Sequence, residues 1–175
     1  MSDPVPSRRL SNTEVFSDPL VEALLQARLV GVLATYDLAG VIHAVPMWFA
    51  RLDRSIVLAT GSRSRKVANL ERDSRATLVV HDSRPGFEVC GASFAGRAEV
   101  VRGDDARAFV DAVHDRYVDA ANASGPARSF LESDDVALRL VPESALTWDE
   151  RGSDASAALR ASGGAYPLLT TAPRT

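Results

Sequence analysis

Leu58-Ala59-Thr60-Gly61-Ser62-Arg63-Ser64-Arg65-Lys66-Val67-Ala68-Asn69-Leu70-Glu71-Arg72-Asp73 is the stretch on which the reading of this chain turns. An apolar run from Ser55 to Ala59 ends at Thr60, breaks at Gly61 and passes through alternating hydroxyls and cations. It then resumes as a helix-compatible pattern with Ser64 placed as N-cap. Amide N–H groups at a helix start lack intrahelical partners and carry partial positive charge, so strand, turn and helix start in this order suit an anion. Thr60, Ser62 and Ser64 add hydroxyl donors, Arg65 a planar fork and Lys66 a point charge, the side chains that hold phosphates. On composition alone, the same run equally describes a solvated, basic helix start.

The rest of the chain bounds these readings. Its 175 residues suffice for one domain with a real core, and 46% hydrophobic with 25% charged residues is a globular balance. Net charge is −3, which argues against a nucleic-acid partner, so the positive charge after Gly61 is a local feature. The single Cys90 excludes an intrachain disulfide and a thiolate metal cluster and suits a reducing compartment. No apolar run is long enough to cross a bilayer, and residues 1–12 lack a signal-peptide core, so a cytoplasmic protein without membrane contact is expected.

Residues 1–17, with Pro4 and Pro6, read as a flexible arm, residues 18–149 as the domain, and residues 150–175 as a weakly structured tail with a helical turn near 155–160. Asp18-Pro19 is a helix start, as N-cap and N1. Val30–Thr35 and Val41–Ala50 read as a hairpin of buried strands, in which Pro46 demands an edge, a bulge or a non-strand neighbour. Ser55–Thr60 is a third strand and Arg75–His81 a half-buried fourth. Phe87–Val101 is long, with Gly91 and Gly96 where a curved sheet bends. A helix opens at Gly103-Asp104-Asp105 with Ala106, Phe109, Val110, Val113 and Tyr117 on one face, and Val136, Leu138 and Leu140 mark a further strand. Antiparallel hairpins without β-α alternation or a GxGxxG turn exclude a dinucleotide-binding fold and predict a mainly β (α+β) small barrel, closed or split, with peripheral helices.

The order GVLAT, HAVPMWF, SIVLAT, GSRSRK, NLERDSRATLVV over residues 19–101 resembles the pyridoxamine 5'-phosphate oxidase-like split β-barrels, which bind flavins and deazaflavins. The resemblance implies that Thr60, Ser64, Arg65 and Lys66, with Ser62 beside them, hold the phosphate of FMN. It also implies that Val45, Pro46, Met47 and Trp48 run beside the isoalloxazine. It further implies a homodimer with cofactor sites at the interface, and hydride transfer to or from a small organic substrate. The coenzyme F420 is the alternative cofactor, and a flavin-binding protein without turnover the alternative of another class. F420's polyglutamate tail would suit Arg63, Arg72 and Arg75.

The Arg-x-His substrate motif that the vitamin B6 oxidase carries near its C-terminus is missing; Thr147-Trp148-Asp149-Glu150-Arg151 stands there. His114-Asp115-Arg116 has similar letters but lies in the helix that opens at Gly103. His43, His81 and His114 lack metal-ligand spacing and read as satisfied or surface histidines, no axial haem ligand stands out, and no catalytic side chain is assigned. Cys90 reads as an inert buried thiol, and Arg97 and Glu99 share one face of a strand, where they either pair or face solvent.

Overall fold

The computed structural model describes residues 7–84, 88–119, 121–125, 129, 131 and 134–163. Strand β1 (Arg8–Ser11) and a 3-10 turn (Val15–Ser17) lead into α1 (Pro19–Gln26). Strands β2 (Gly31–Tyr36), β3 (Ile42–Met47), β4 (Ala50–Leu52) and β5 (Ser55–Gly61) follow, then α2 (Arg65–Arg72). The long strands β6 (Arg75–Arg84) and β7 (Glu88–Val101) precede α3 (Asp104–Tyr117), β8 (Asp135–Asp149) and α4 (Asp154–Ala161). The strands form one antiparallel sheet, β3-β2-β6-β7-β8-β5-β4, with β1 added to β8. The chain is a split β-barrel, as its pattern of hairpins predicts.

Strand β8 makes the curvature possible. Asp135–Leu140 pairs with β5 and Ser144–Thr147 with β1, while β7 runs alongside both halves. Between the pairs Ala95↔Ser144 and Gly96↔Pro142, Glu143 is left over, a bulge that bends the strand. Gly96 is required there, because a Cβ would drive into the Val141 carbonyl oxygen and sit 2.9 Å from Pro142 Cα. The concave side is filled by Leu33, Ile56, Leu58, Leu78, Phe94, Leu138 and Leu140, all fully buried. Val21, Leu24 and Leu25 of α1 and Val67 and Leu70 of α2 complete this core. Val57 faces the other way and packs with Ala50 and Val113 under α3, so β5 is apolar on both faces.

Local chemistry sets the boundaries. Asp18 caps α1, its Oδ1 accepting from the amides of Leu20 (3.0 Å) and Val21 (3.1 Å), with Pro19 at N1. The expected strand Val41–Ala50 divides instead into β3 and β4. Trp48 and Phe49 carry the chain from one end of the sheet to the other, Phe49 anchoring the crossing in the core. The flexible arm expected over residues 1–17 is ordered from Arg8 on: β1 adds to β8, and Leu10 and Val15 have no exposed surface. Four residues with one apolar position carry too little periodicity to declare such a strand. The tail likewise begins with a helix, α4, capped by Ser153 and tied by Arg160 and Ser156 to Glu88. Residues 164–175 lie outside the described residues. Among the described residues, no helix is long and apolar enough to cross a membrane.

Gly96→Val should destabilise the fold by about 1–3 kcal/mol through overpacking against β8's backbone. Urea unfolding would show this as a lowered midpoint, while Gly61→Ala, where a methyl meets nothing within 4 Å, leaves the midpoint near wild type.

Candidate functional site

At the end of β5 the chain turns through Gly61–Arg63, and the Ser64 amide donates to the Gly61 carbonyl (3.0 Å). Ser64 occupies the N-cap position in extended conformation, but its hydroxyl does not cap: its oxygen accepts from Thr60 Oγ1 at 3.3 Å. Val67 and Ala68 amides bond the Ser64 carbonyl (3.1 and 3.3 Å), which leaves the amides of Arg65 and Lys66 as the orphan donors of the first turn among the described residues. The buried Thr60 hydroxyl, the Ser64 hydroxyl and two amides thus converge at one helix start.

Three ties hold this helix against β2 and the turn after it. Asn69, 3% exposed, donates from Nδ2 to Thr35 Oγ1 (3.0 Å), and Thr35 donates on to the His43 carbonyl (3.4 Å). Arg72 donates to the Tyr36 carbonyl (2.6 Å), and Arg65 to Asp37 (2.9 Å). The Val41 amide first, then the Ala39 amide and Arg65, hold Asp37 below its ordinary carboxylate pKa. Arg75 is committed to Asp73, whose pKa falls to about 2 through those hydrogen bonds, and stacks 4.7 Å over Tyr36.

A groove of about 680 Å³ opens beside this turn, where the barrel is split. Pro46 and Met47 of the edge strand β3 form one lip. Ala59, Thr60 and Gly61 form the other, on the stretch of β5 beyond its last pair with β4, Ala50↔Val57. Trp48 and His114 form the wall: Trp48 stacks parallel to Tyr117 of α3, centroids 5.1 Å apart, a fixed aromatic surface. Pro46 therefore sits on an edge strand, one of the places where a sheet tolerates proline.

Pro46, Met47, Trp48 and Thr60 all line the groove. Val45 turns inward and packs on the core. Ser62 lies around the corner, its hydroxyl donating to Asp134 (2.8 Å), on a neighbouring cleft of about 420 Å³ lined also by Arg102, Arg107 and Asp104. Lys66 is half-buried; burial lowers its pKa, and the Asp135 carboxylate opposes that shift.

Asp135 and His114 were not assigned a role from the sequence. His114 Nε2 lies 3.3 Å from Asp135 Oδ2, both side chains nearly buried, and both line the groove. A signal did exist: His114 follows Val113 and precedes Tyr117 by three, so it stands on the apolar face of α3, where an imidazole needs a partner. Cys90 is buried, and burial raises its thiol pKa. Arg97 and Glu99 do not pair with each other; they bond Glu143 and Arg139 across the ladder.

Asn69→Ala should leave the buried Thr35 hydroxyl without its donor and release α2 from β2. A loss of about 1–3 kcal/mol in chemical unfolding is expected, with faster amide exchange across residues 65–72 than elsewhere.

Comparisons with known proteins bear on the fold and the family. A conserved hypothetical protein of Mycobacterium tuberculosis shares 25% identity at a TM-score of 0.63, over 87% of this chain and 89% of that one. An F420 reductase shares 25% identity at a TM-score of 0.56, over 71% of this chain and 94% of its own. A FAD- and haem-binding protein of Mycobacterium smegmatis shares the fold at 24% identity and a TM-score of 0.58, over 87% and 85%. No curated protein matches the chain. The family model for pyridoxamine 5'-phosphate oxidase matches residues 17–149, the stretch that builds the barrel, α2 and the groove, and the chain belongs to that family.

Proposed function

We propose that the chain is an oxidoreductase that binds FMN in the groove at the split of the barrel, with the phosphate on the first turn of α2. The observation that carries this reading is the junction of a flat-sided groove, about 680 Å³, with a helix start bearing two free amides and the Thr60 and Ser64 hydroxyls. These groups fit a flavin. Pro46 and Met47 offer an unladdered edge and Trp48 a rigid aromatic wall, while Lys66 stands at the anionic end.

Bound flavin supplies hydride chemistry at its ring. The residues of this chain would bind and orient it: Thr60, Ser64 and Lys66 hold the phosphate, and Arg65 exchanges Asp37 for it. The Trp48–Tyr117 stack fixes the ring's distance from α3 and excludes water from that side. F420 is the second reading, favoured by the cleft beside Ser62, where Arg107 offers charge to an anionic tail and Arg102, paired with Glu71 (2.6 Å), would have to exchange that partner; Asp104, Asp134 and Asp135 line the cleft too. Of the arginines expected to serve that tail, Arg72 and Arg75 are occupied by the Tyr36 carbonyl and Asp73, and Arg63 is exposed. The similarity to an F420 reductase supports the same reading.

We also propose a homodimer. The outer face of β3 exposes Ile42 (61%) beside Val41 (60%) and borders a shallow groove of about 450 Å³ lined by Tyr36, Arg75, Ala95 and Glu143. Ile42→Asp should convert the dimer to monomer in light scattering; a mass unchanged from wild type would remove this face from the interface.

Absorbance titration of the purified protein with FMN and with F420 tests the cofactor. Arg65→Ala with Lys66→Ala should weaken the preferred cofactor by about 100-fold, two charge-assisted contacts, while circular dichroism stays unchanged. Unaltered affinity would remove the phosphate assignment, and a bound chromophore that no electron donor bleaches would favour a carrier over an enzyme.

A further inference from the structure

The last turn of α3 holds two separate stretches of chain at once. One is the connection from α1 to β2, which brings Val30 to the groove; the other is the crossing through Trp48 and Phe49, which brings Trp48. Arg116 donates to the carbonyls of Leu25 (2.6 Å) and Ala27, and its guanidinium lies 5.2 Å from the centre of the Phe49 ring. Tyr117, the next residue, donates from its hydroxyl to the Leu29 carbonyl. Its ring lies parallel to Trp48, 2° between planes and 5.1 Å between centroids. Arg116 also sits over the Tyr117 ring at 5.8 Å, a cation–π contact that ties the two side chains together. Two consecutive residues thus each grip both stretches.

The two contacts of Tyr117 bear directly on the lining of the groove. The Leu29 carbonyl and the Val30 nitrogen belong to one planar peptide unit, so a hydroxyl bonded to that oxygen fixes the plane from which Val30 departs. On the other side of Val30, Gly31 enters the ladder opposite Met47. Val30 is therefore held from both sides although it is 48% exposed. Trp48 is held by the stack on Tyr117 and by Phe49 after it, which has no exposed surface.

We propose that Tyr117 is a positioning residue that couples Val30 to Trp48 and so fixes the width of the groove for a flat aromatic ring. The inference deepens the cofactor reading and rests on it for the identity of that ring. A groove that had to order its walls around a ligand would subtract that cost from the affinity, whereas walls already fixed by α3 avoid it. The effect falls on the ring of the ligand and not on its phosphate, because the groups assigned to the phosphate lie on β5 and α2.

Titration with FMN and with riboflavin, which lacks the phosphate, separates the two parts. Tyr117→Phe keeps the stack and loses the hydroxyl; it should weaken both ligands by the same factor, about three- to tenfold, the worth of one hydrogen bond. Tyr117→Leu loses both contacts and should weaken both ligands by about 30-fold. Arg65→Ala with Lys66→Ala, in contrast, should weaken FMN alone. In a Trp148→Phe background Trp48 is the single indole. Its quenching by acrylamide should rise in Tyr117→Leu and stay at the wild-type level in Tyr117→Phe, while amide exchange at residues 29–31 quickens in both. A residue that served the fold alone would lower the unfolding midpoint and leave the affinity of the folded protein unchanged. That result in Tyr117→Phe overturns the inference, and decides the matter if Tyr117→Leu does not fold. Loss of FMN affinity with riboflavin affinity retained overturns it as well. A wild type that binds neither flavin overturns the FMN reading alone, and quenching and exchange then decide whether Tyr117 couples Val30 to Trp48.

Discussion

Backbone amides and carbonyls at a strand edge need a partner, and this sheet leaves two edges facing each other where the barrel does not close. β3 ends the sheet on one side, and β5 loses its neighbour β4 beyond Val57 on the other. Joining them directly would close the cylinder and abolish the groove. Three features keep them apart. Pro46 removes a donor from β3, the crossing through Trp48 and Phe49 locks the two ends at a fixed separation, and α2 packs Val67 and Leu70 into the core. The bulge at Glu143 supplies the bend that brings the edges near each other at all. A barrel that is curved but unclosed leaves hydrogen-bonding edges open beside the groove without unfolding anything.

Alternation in β6, the length and glycines of β7, the cap at Asp18-Pro19 and the helix opened by Asp104-Asp105 are local patterns, and each was legible in the residues. The role of Pro46 was legible as a set of alternatives, of which the edge strand is the realised one. What escaped depends on distant partners. β1 is a strand because β8 offers it an edge, and nothing in Arg8–Ser11 announces that neighbour, Ser144–Thr147, near the other end of the domain. The division of Val41–Ala50 is equally non-local, since Ala50 leaves β3 to join Val57 at the opposite end of the sheet. At the site, the turn from Thr60 to Lys66 could be read as an anion cradle because its donors are contiguous. His114 and Asp135 come from two elements, and only the packing of α3 on β5 and β8 brings them to the same groove.

A chain of net charge −3 can still carry a locally positive turn, because charge acts locally in a partly buried site. Asp37 and Asp135 would each weaken an anion site if they stood alone. Each instead holds a cation in place: Asp37 orients Arg65, and Asp135 opposes the desolvation that drives Lys66 toward its neutral form. The carboxylates thereby preserve two positive charges at the end of β5, at the cost of competing with the ligand for them.

The groove's two walls differ in how freely they can change. The lips on β3 and β5 belong to strands whose inward residues, among them Val45, Ile56 and Leu58, are part of the main core, so substitutions there disturb the barrel. The α3 wall rests on a separate cluster, Ala50, Val57 and Val113 with Trp48, Phe109 and Tyr117 packed around it. Apart from Arg116 and Tyr117, which hold carbonyls of residues 25–29, and His114, which pairs with Asp135, its side chains load that smaller cluster more than the main core. The helix start at the end of β5 therefore rests on the main core, whereas the Trp48 and His114 wall of the groove rests on α3 and its smaller cluster. Such an arrangement lets the wall of the groove vary through substitutions on α3 while the barrel and the turn at the end of β5 are retained.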